Sequence, residues 1–143
     1  MKFQLPDTRR MEVALKNDTP GVAQLFVRRG FDSEQEGNFI EAIDDYDTAL
    51  RISPGNAEIL YRRGIAFSKI GELDRAIANF DEALSVNPAF VEALYARGNA
   101  WENKRRFDRA IEDYDAILRL VPNDWQANNK LGDALREKLS VWA

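Results

Sequence analysis

Two sets of side chains in this sequence have types and spacings that could do chemistry. One is acidic: Glu41, Asp44, Asp45 and Asp47 lie close together, and Glu112, Asp113 and Asp115 form a second group. Neighbouring carboxylates can run general acid–base catalysis or hold a hard cation. The spacing opposes both, because adjacent helical residues point about 100° apart. No calcium-loop glycine with a distal acidic ligand accompanies them. The better reading is a solvated helix face. The other set is Arg29, Arg63 and Arg97. A guanidinium fork grips carboxylate or phosphate, and once partly buried it needs an acidic partner. Asp45, Asp47, Asp81, Asp113 and Asp115 recur at matching intervals, so the expectation is an internal ladder of arginine–carboxylate pairs rather than a ligand site.

Composition narrows the chemistry further. The 143 residues include no His and no Cys. Imidazole bases, thiolate nucleophiles, disulfides and every Cys/His metal site are therefore excluded. No phosphate-cradling glycine loop, dinucleotide fingerprint or nucleophile elbow is present. The expectation is a protein that is not an enzyme and needs no cofactor or metal. A net charge of −4 speaks against a nucleic-acid partner. No apolar run is long enough to span a membrane. No charged-then-apolar leader follows Met1, which favours the cytoplasm.

The elements that must position these side chains are set by a long internal period. Pro20, Pro54, Pro88 and Pro122 are each 34 residues apart, and so are Gly30, Gly64, Gly98 and Gly132. Ala42, Ala76 and Ala110 keep the same step, as do Tyr46, Phe80 and Tyr114. Chance helical patterning gives a spacing near 3.6 but no such long register. Within each period there are two apolar stripes at helical spacing, separated by a turn and closed by proline, which lacks an amide donor. The expected helices are 20–35, 39–52, 57–70, 73–86, 91–104, 107–120 and 124–140. Glycine in mid-helix is unfavourable by about 1 kcal/mol. Its recurrence predicts close approach of the second helix, with Ala42, Ala76 and Ala110 facing it and the aromatic column filling the gap between repeats.

On these columns the sequence resembles the tetratricopeptide repeat family. The second period carries the signature as Leu60, Arg63, Gly64, Phe67, Ala76, Phe80, Ala83 and Pro88. The first has Phe26, Arg29, Gly30, Ser33, Ala42, Tyr46, Ala49 and Pro54, and the third has Leu94, Arg97, Gly98, Trp101, Ala110, Tyr114, Ile117 and Pro122. Arg in the seventh column, Ser33 and Ile117 depart from the family pattern. The resemblance implies an all-α, right-handed α-solenoid of helix-turn-helix repeats: three motifs at about 23–56, 57–90 and 91–124, within residues 20–124. Residues 125–143 would form a C-terminal capping helix and tail. Residues 1–19 would form an N-terminal segment with a degenerate cap helix over Asp7–Lys16. The apolar tail residues Leu139, Val141 and Trp142 are expected to fold back over Gly132, giving a monomer. The alternative is a self-assembly unit, a homo-oligomer joined through this apolar end or the N-terminal cap.

The resemblance also implies that the first helices line a concave groove and that the function is non-enzymatic binding of a partner's peptide segment. Carried over residue by residue, the binding positions are Val27, Arg28, Phe31, Tyr61, Arg62, Ile65, Lys69, Tyr95, Asn99 and Lys130. Val27, Phe31, Tyr61, Ile65 and Tyr95 have no evident partner inside their own repeat, and exposed apolar groups of this kind mark interaction surfaces. Glu34, Glu58, Glu92 and Glu102 would form an acidic rim around a mildly basic floor. The expected ligand is a protein segment carrying acidic and apolar residues. Chaperone-binding members of the family hold a C-terminal carboxylate with a Lys/Asn/Asn/Lys/Arg clamp. Those five positions fall here on Val27, Phe31, Arg62, Glu92 and Ala96, so that chaperone tail is not the expected ligand.

Overall fold

The computed structural model describes residues 19–140, with no account of the side chains of Thr19 and Pro20. Every element among the described residues is α-helical: α1 (Thr19–Gln35), α2 (Phe39–Ile52), α3 (Ala57–Lys69), α4 (Leu73–Val86), α5 (Val91–Asn103), α6 (Phe107–Leu120) and α7 (Trp125–Ser140). The expected bounds hold to within one residue. Asp7–Lys16, Val141 and Trp142 lie outside the described residues. Each helix packs on its neighbours in the chain, α1 on α2, α2 on α3 and onward to α7, so the chain forms a solenoid of helix-turn-helix units.

The turns explain the regular hand-over between helices. After α1 the Asn38 amide donates to the Ser33 carbonyl at 2.8 Å and the Gly37 amide to Glu34 at 3.0 Å. The same pair of bonds recurs from Glu72 to Phe67 and Gly71 to Ser68, and from Arg106 to Trp101 and Arg105 to Glu102. This closure of the last helical turn needs a left-handed residue. Gly37 and Gly71 supply it at φ 81°, and Arg105 stands in the same column at φ 58°. Between units the chain leaves α2, α4 and α6 at Ser53, Asn87 and Val121, and proline follows each. Asn56 then caps α3 by accepting from the Ile59 amide at 3.2 Å.

The glycine column corrects one expectation. A Cβ at Gly64 would lie 2.5 Å from Cε1 of Phe80, and at Gly30 or Gly98 it would lie 2.7 Å from the ring of Tyr46 or Tyr114. The aromatic of the same unit, not the alanine column, therefore fills the space that glycine leaves. Ala42, Ala76 and Ala110 are fully buried beside these rings. Tyr46 also packs in one core with Ile59 of the following helix, so the ring seals both the hairpin and the joint.

Candidate functional site

The arginine ladder forms, and it is structural. Arg29 grips Asp45 through Nε (3.1 and 3.0 Å) and Nη2 (2.5 Å). Arg97 holds Asp113 through Nε and Nη2 and reaches back through Nη1 to Asp81 of the preceding unit at 2.8 Å. Arg63 makes the same span, from Asp47 at 2.8 Å to Asn79 at 2.7 Å. One guanidinium therefore ties the second helix of its own hairpin to the second helix before it. Burial pushes the Asp113 carboxyl up, against the downward pull of Arg97. Hydrogen bonding to Asp45 raises Arg29 further. Of the acidic groups suspected of chemistry, Asp45, Asp47 and Asp113 join this ladder and Glu41, Asp44 and Glu112 lie on the solvated face, while Asp115, expected in the ladder, is half-buried with no ion pair among the described residues. Among the described residues no cluster of His, Cys, Asp or Glu could hold a metal ion.

A second repeated pairing went unread in the sequence. The Tyr46 hydroxyl donates to Glu34 at 2.5 Å. Tyr114, in the same column, donates to Asn99 at 3.0 Å and is raised by burial and by Glu102, which stands in the Glu34 column. Burial and Glu34 likewise push Tyr46 above the ordinary phenol range. In the middle unit the pair is Phe80 and Ser68, so hydroxyl and carboxylate disappear together. That covariation was the available signal. It also corrects the acidic rim: Glu34 and Glu102 turn inward to the tyrosines, and Glu58 is bound to Arg62 at 3.0 Å. Glu92 stays exposed.

The proposed groove residues separate into packed and open sets. Tyr61 is partly buried, with ring centroids 6.1 Å from Phe80 and 5.0 Å from Phe90. Tyr95 lies 6.4 Å from Tyr114 and donates its hydroxyl to Asp124 at 2.6 Å. Asp124 also accepts from the Ala127 amide at the start of α7, and these bonds hold its carboxyl below the usual range. The expectation that Tyr61 and Tyr95 lack partners within their repeats is thus overturned: both brace the joints between units. Val27 packs against the first core and Ile65 is half-buried. Asn99 serves Tyr114, and Lys130 lies 3.6 Å from Glu102. Lys69 is exposed.

Two of the open residues, Arg28 and Phe31, share one cleft. Gln24, Leu25, Val27, Arg28, Phe31 and Arg62 line a cleft of about 490 Å³. Phe31 is 40% exposed there, with the Arg62 guanidinium 4.9 Å from its ring centroid. Arg28 is exposed and has no ion pair among the described residues. Such a site offers an apolar platform with two cations at its edge. Gln24 and Leu25, which are not among the binding positions given above, complete its lining.

Comparison with known proteins agrees with this architecture. A family model described as tetratricopeptide repeat matches residues 61–124 and 103–138, together more than half of the chain, and a second, described as TPR repeat, matches residues 35–71. No curated protein matches the chain significantly. Among solved structures, the first TPR of Spaghetti (RPAP3) bound to the HSP90 peptide SRMEEVD is 25% identical, with a TM-score of 0.74, covering 80% of this chain and 93% of that one. The second TPR domain of human RPAP3, in complex with the HSP70 peptide SGPTIEEVD, is 25% identical at a TM-score of 0.73, covering 78% and 93%. The Sgt2 TPR domain from Aspergillus fumigatus is 24% identical at a TM-score of 0.78, covering 86% and 82%, which speaks to fold alone. The period, the hairpin stack and the two family matches lead to one conclusion: the chain belongs to the tetratricopeptide repeat family.

Proposed function

We propose that this chain is a non-enzymatic interaction module, built of three repeats and a capping helix, whose groove holds a peptide segment of a partner protein. The observation that carries the reading is the cleft at Phe31. An apolar ring stands half-exposed between Arg28, which lacks an acid among the described residues, and Arg62, which pairs with Glu58. An acidic side chain beside a bulky apolar one satisfies both features at once, since a desolvated cation over an aromatic face gains further from an anion. Aromatic and arginine side chains of this kind dominate binding energy at interfaces. Peptide binding by the two RPAP3 domains supports the class of function. Their ligands end in acidic, valine-containing tails, yet the five clamp positions here are Val27, Phe31, Arg62, Glu92 and Ala96. The expected ligand is therefore an internal segment rather than a free C-terminus.

The test is selection from a displayed library of peptide segments, followed by fluorescence anisotropy. Selected peptides should combine Asp or Glu with a large apolar residue and bind at micromolar strength, on the order of −8 kcal/mol. Phe31→Ala and Arg28→Glu should each weaken them at least tenfold, and amidating the peptide C-terminus should change nothing. Peptides that bind both variants as tightly as the parent, or that require a free carboxylate, refute this assignment.

A further inference from the structure

The face of α7 that carries Gly132 is built like an occupied one, and nothing among the described residues covers it. Gly30, Gly64 and Gly98 each meet an aromatic ring of the next helix within 2.5–2.7 Å of a built Cβ. At Gly132, in the same column, nothing among the described residues lies within 4 Å. Leu135 and Leu139 on α7 are 42% and 69% exposed, whereas Trp101, in the Leu135 column, is partly buried against the core. The three covered copies define what fits such a face. In each, a helix brings a small residue (Ala42, Ala76, Ala110) and, four positions later, the ring (Tyr46, Phe80, Tyr114).

Charge defines the occupant further. In the covered copies the residue just before the ring is Asp45, Asn79 or Asp113, and an arginine of the first helix holds it. From α3 onward that arginine also reaches an acid sixteen positions behind it: Asp47 for Arg63 and Asp81 for Arg97. On α7 the arginine column is Leu131. Asp115, the acid that an arginine at this position would reach, is half-buried and has no ion pair or hydrogen-bond partner among the described residues. A single guanidinium spans both positions in two of the covered copies, Asp47 and Asn79 for Arg63 and Asp81 and Asp113 for Arg97. A basic side chain just before the docked ring is therefore within reach of Asp115.

We propose that the open face of α7 docks an amphipathic helix of a partner protein carrying a small residue, then a basic residue three positions on and an aromatic ring four positions on. A second copy of this chain is a poor occupant. Its own small-to-aromatic helices are each engaged on a glycine, and α2 and α6 place an aspartate before the ring, which would face Asp115.

The probe is a blocked peptide of the α6 sequence, Phe107–Leu120, held helical by a lactam on its outer face, in two forms: unchanged and Asp113→Arg. Titrated into the whole chain, the Asp113→Arg peptide should bind about tenfold tighter than the unchanged one. Gly132→Leu, which fills the notch, and Leu135→Glu should each reduce that binding at least tenfold, with circular dichroism showing both variants folded. Asp115→Arg should invert the preference between the peptides. Equal affinity for both peptides, no binding of the Asp113→Arg form, or binding indifferent to Gly132→Leu overturns the proposal. So does a dimer in sedimentation velocity that Gly132→Leu disperses, since a second copy would then own the face.

Discussion

Replacing glycine by alanine at two members of one column should have opposite effects. In a helix interior the change favours folding by about 1 kcal/mol, because glycine has more backbone freedom to lose. At Gly132 the new methyl meets no atom of the described residues within 4 Å, so nothing there opposes this. At Gly64 the methyl would sit 2.5 Å from Cε1, 2.8 Å from Cδ1 and 3.1 Å from Cζ of Phe80. Ordinary carbon contacts begin near 3.5 Å, and Phe80 is fully buried, so the ring cannot swing into solvent. Forcing a methyl into such packing is unfavourable by roughly 1–3 kcal/mol, with the upper end apt for a rigid ring. Gly132→Ala should therefore gain about 1 kcal/mol, and Gly64→Ala should lose about 1–2 kcal/mol net. Urea unfolding followed by circular dichroism measures both, and the melting temperatures should move in opposite directions by several degrees. The double variant Gly64→Ala/Phe80→Leu should recover most of the loss. If Gly64→Ala is as stable as Gly132→Ala, the close fit of ring against glycine is wrong, and with it the account of why this column recurs.

Other perturbations test different parts of the structure. Gly71→Ala, open in space but at φ 81°, should destabilise by about 1 kcal/mol for backbone reasons alone, read by the same unfolding curves. Arg97→Leu strands Asp113, whose side chain is only 4% exposed, and should be destabilising by about 3 kcal/mol. Arg97→Leu/Asp113→Leu should recover much of that in a double-mutant cycle. Uncharging Arg63 should lower the melting temperature while leaving peptide affinity in the Phe31 cleft nearly unchanged. The buried phenols of Tyr46 and Tyr114 are raised above the ordinary value of 10.0, so the fold favours their neutral form. Their contribution is intact below that pH. Above it the unfolded chain ionises first, and stability should fall by up to about 1.4 kcal/mol per tyrosine per pH unit. Tyr46→Phe/Tyr114→Phe should flatten this alkaline limb in denaturation curves taken against pH.

Much of this was legible before any coordinates. A period of 34 residues with proline, glycine, alanine and aromatic columns specifies repeated hairpins, because each column answers a local demand: a stop, a notch, a small contact, a filler. The arginine ladder was legible too, since buried guanidinium requires carboxylate. Where the reading failed, it failed on partners across space. Tyr61 and Tyr95 look unattached along the chain and prove to be held by Phe80, Phe90, Tyr114 and Asp124. Glu34 looks like a rim acid and is spent on Tyr46.

The residue types and their spacing alone determined the helices, their turns and the order in which they stack, because hydrogen bonding and burial along a helix depend on near neighbours. Which groove side chains stay open was decided only by the tertiary structure. Arg28 and Phe31 stay exposed because, among the described residues, no helix brings Arg28 an acid or Phe31 a covering ring. Tyr95 is bound because α7 begins where its hydroxyl ends. Exposure is set by whatever packs opposite, which the local sequence does not contain.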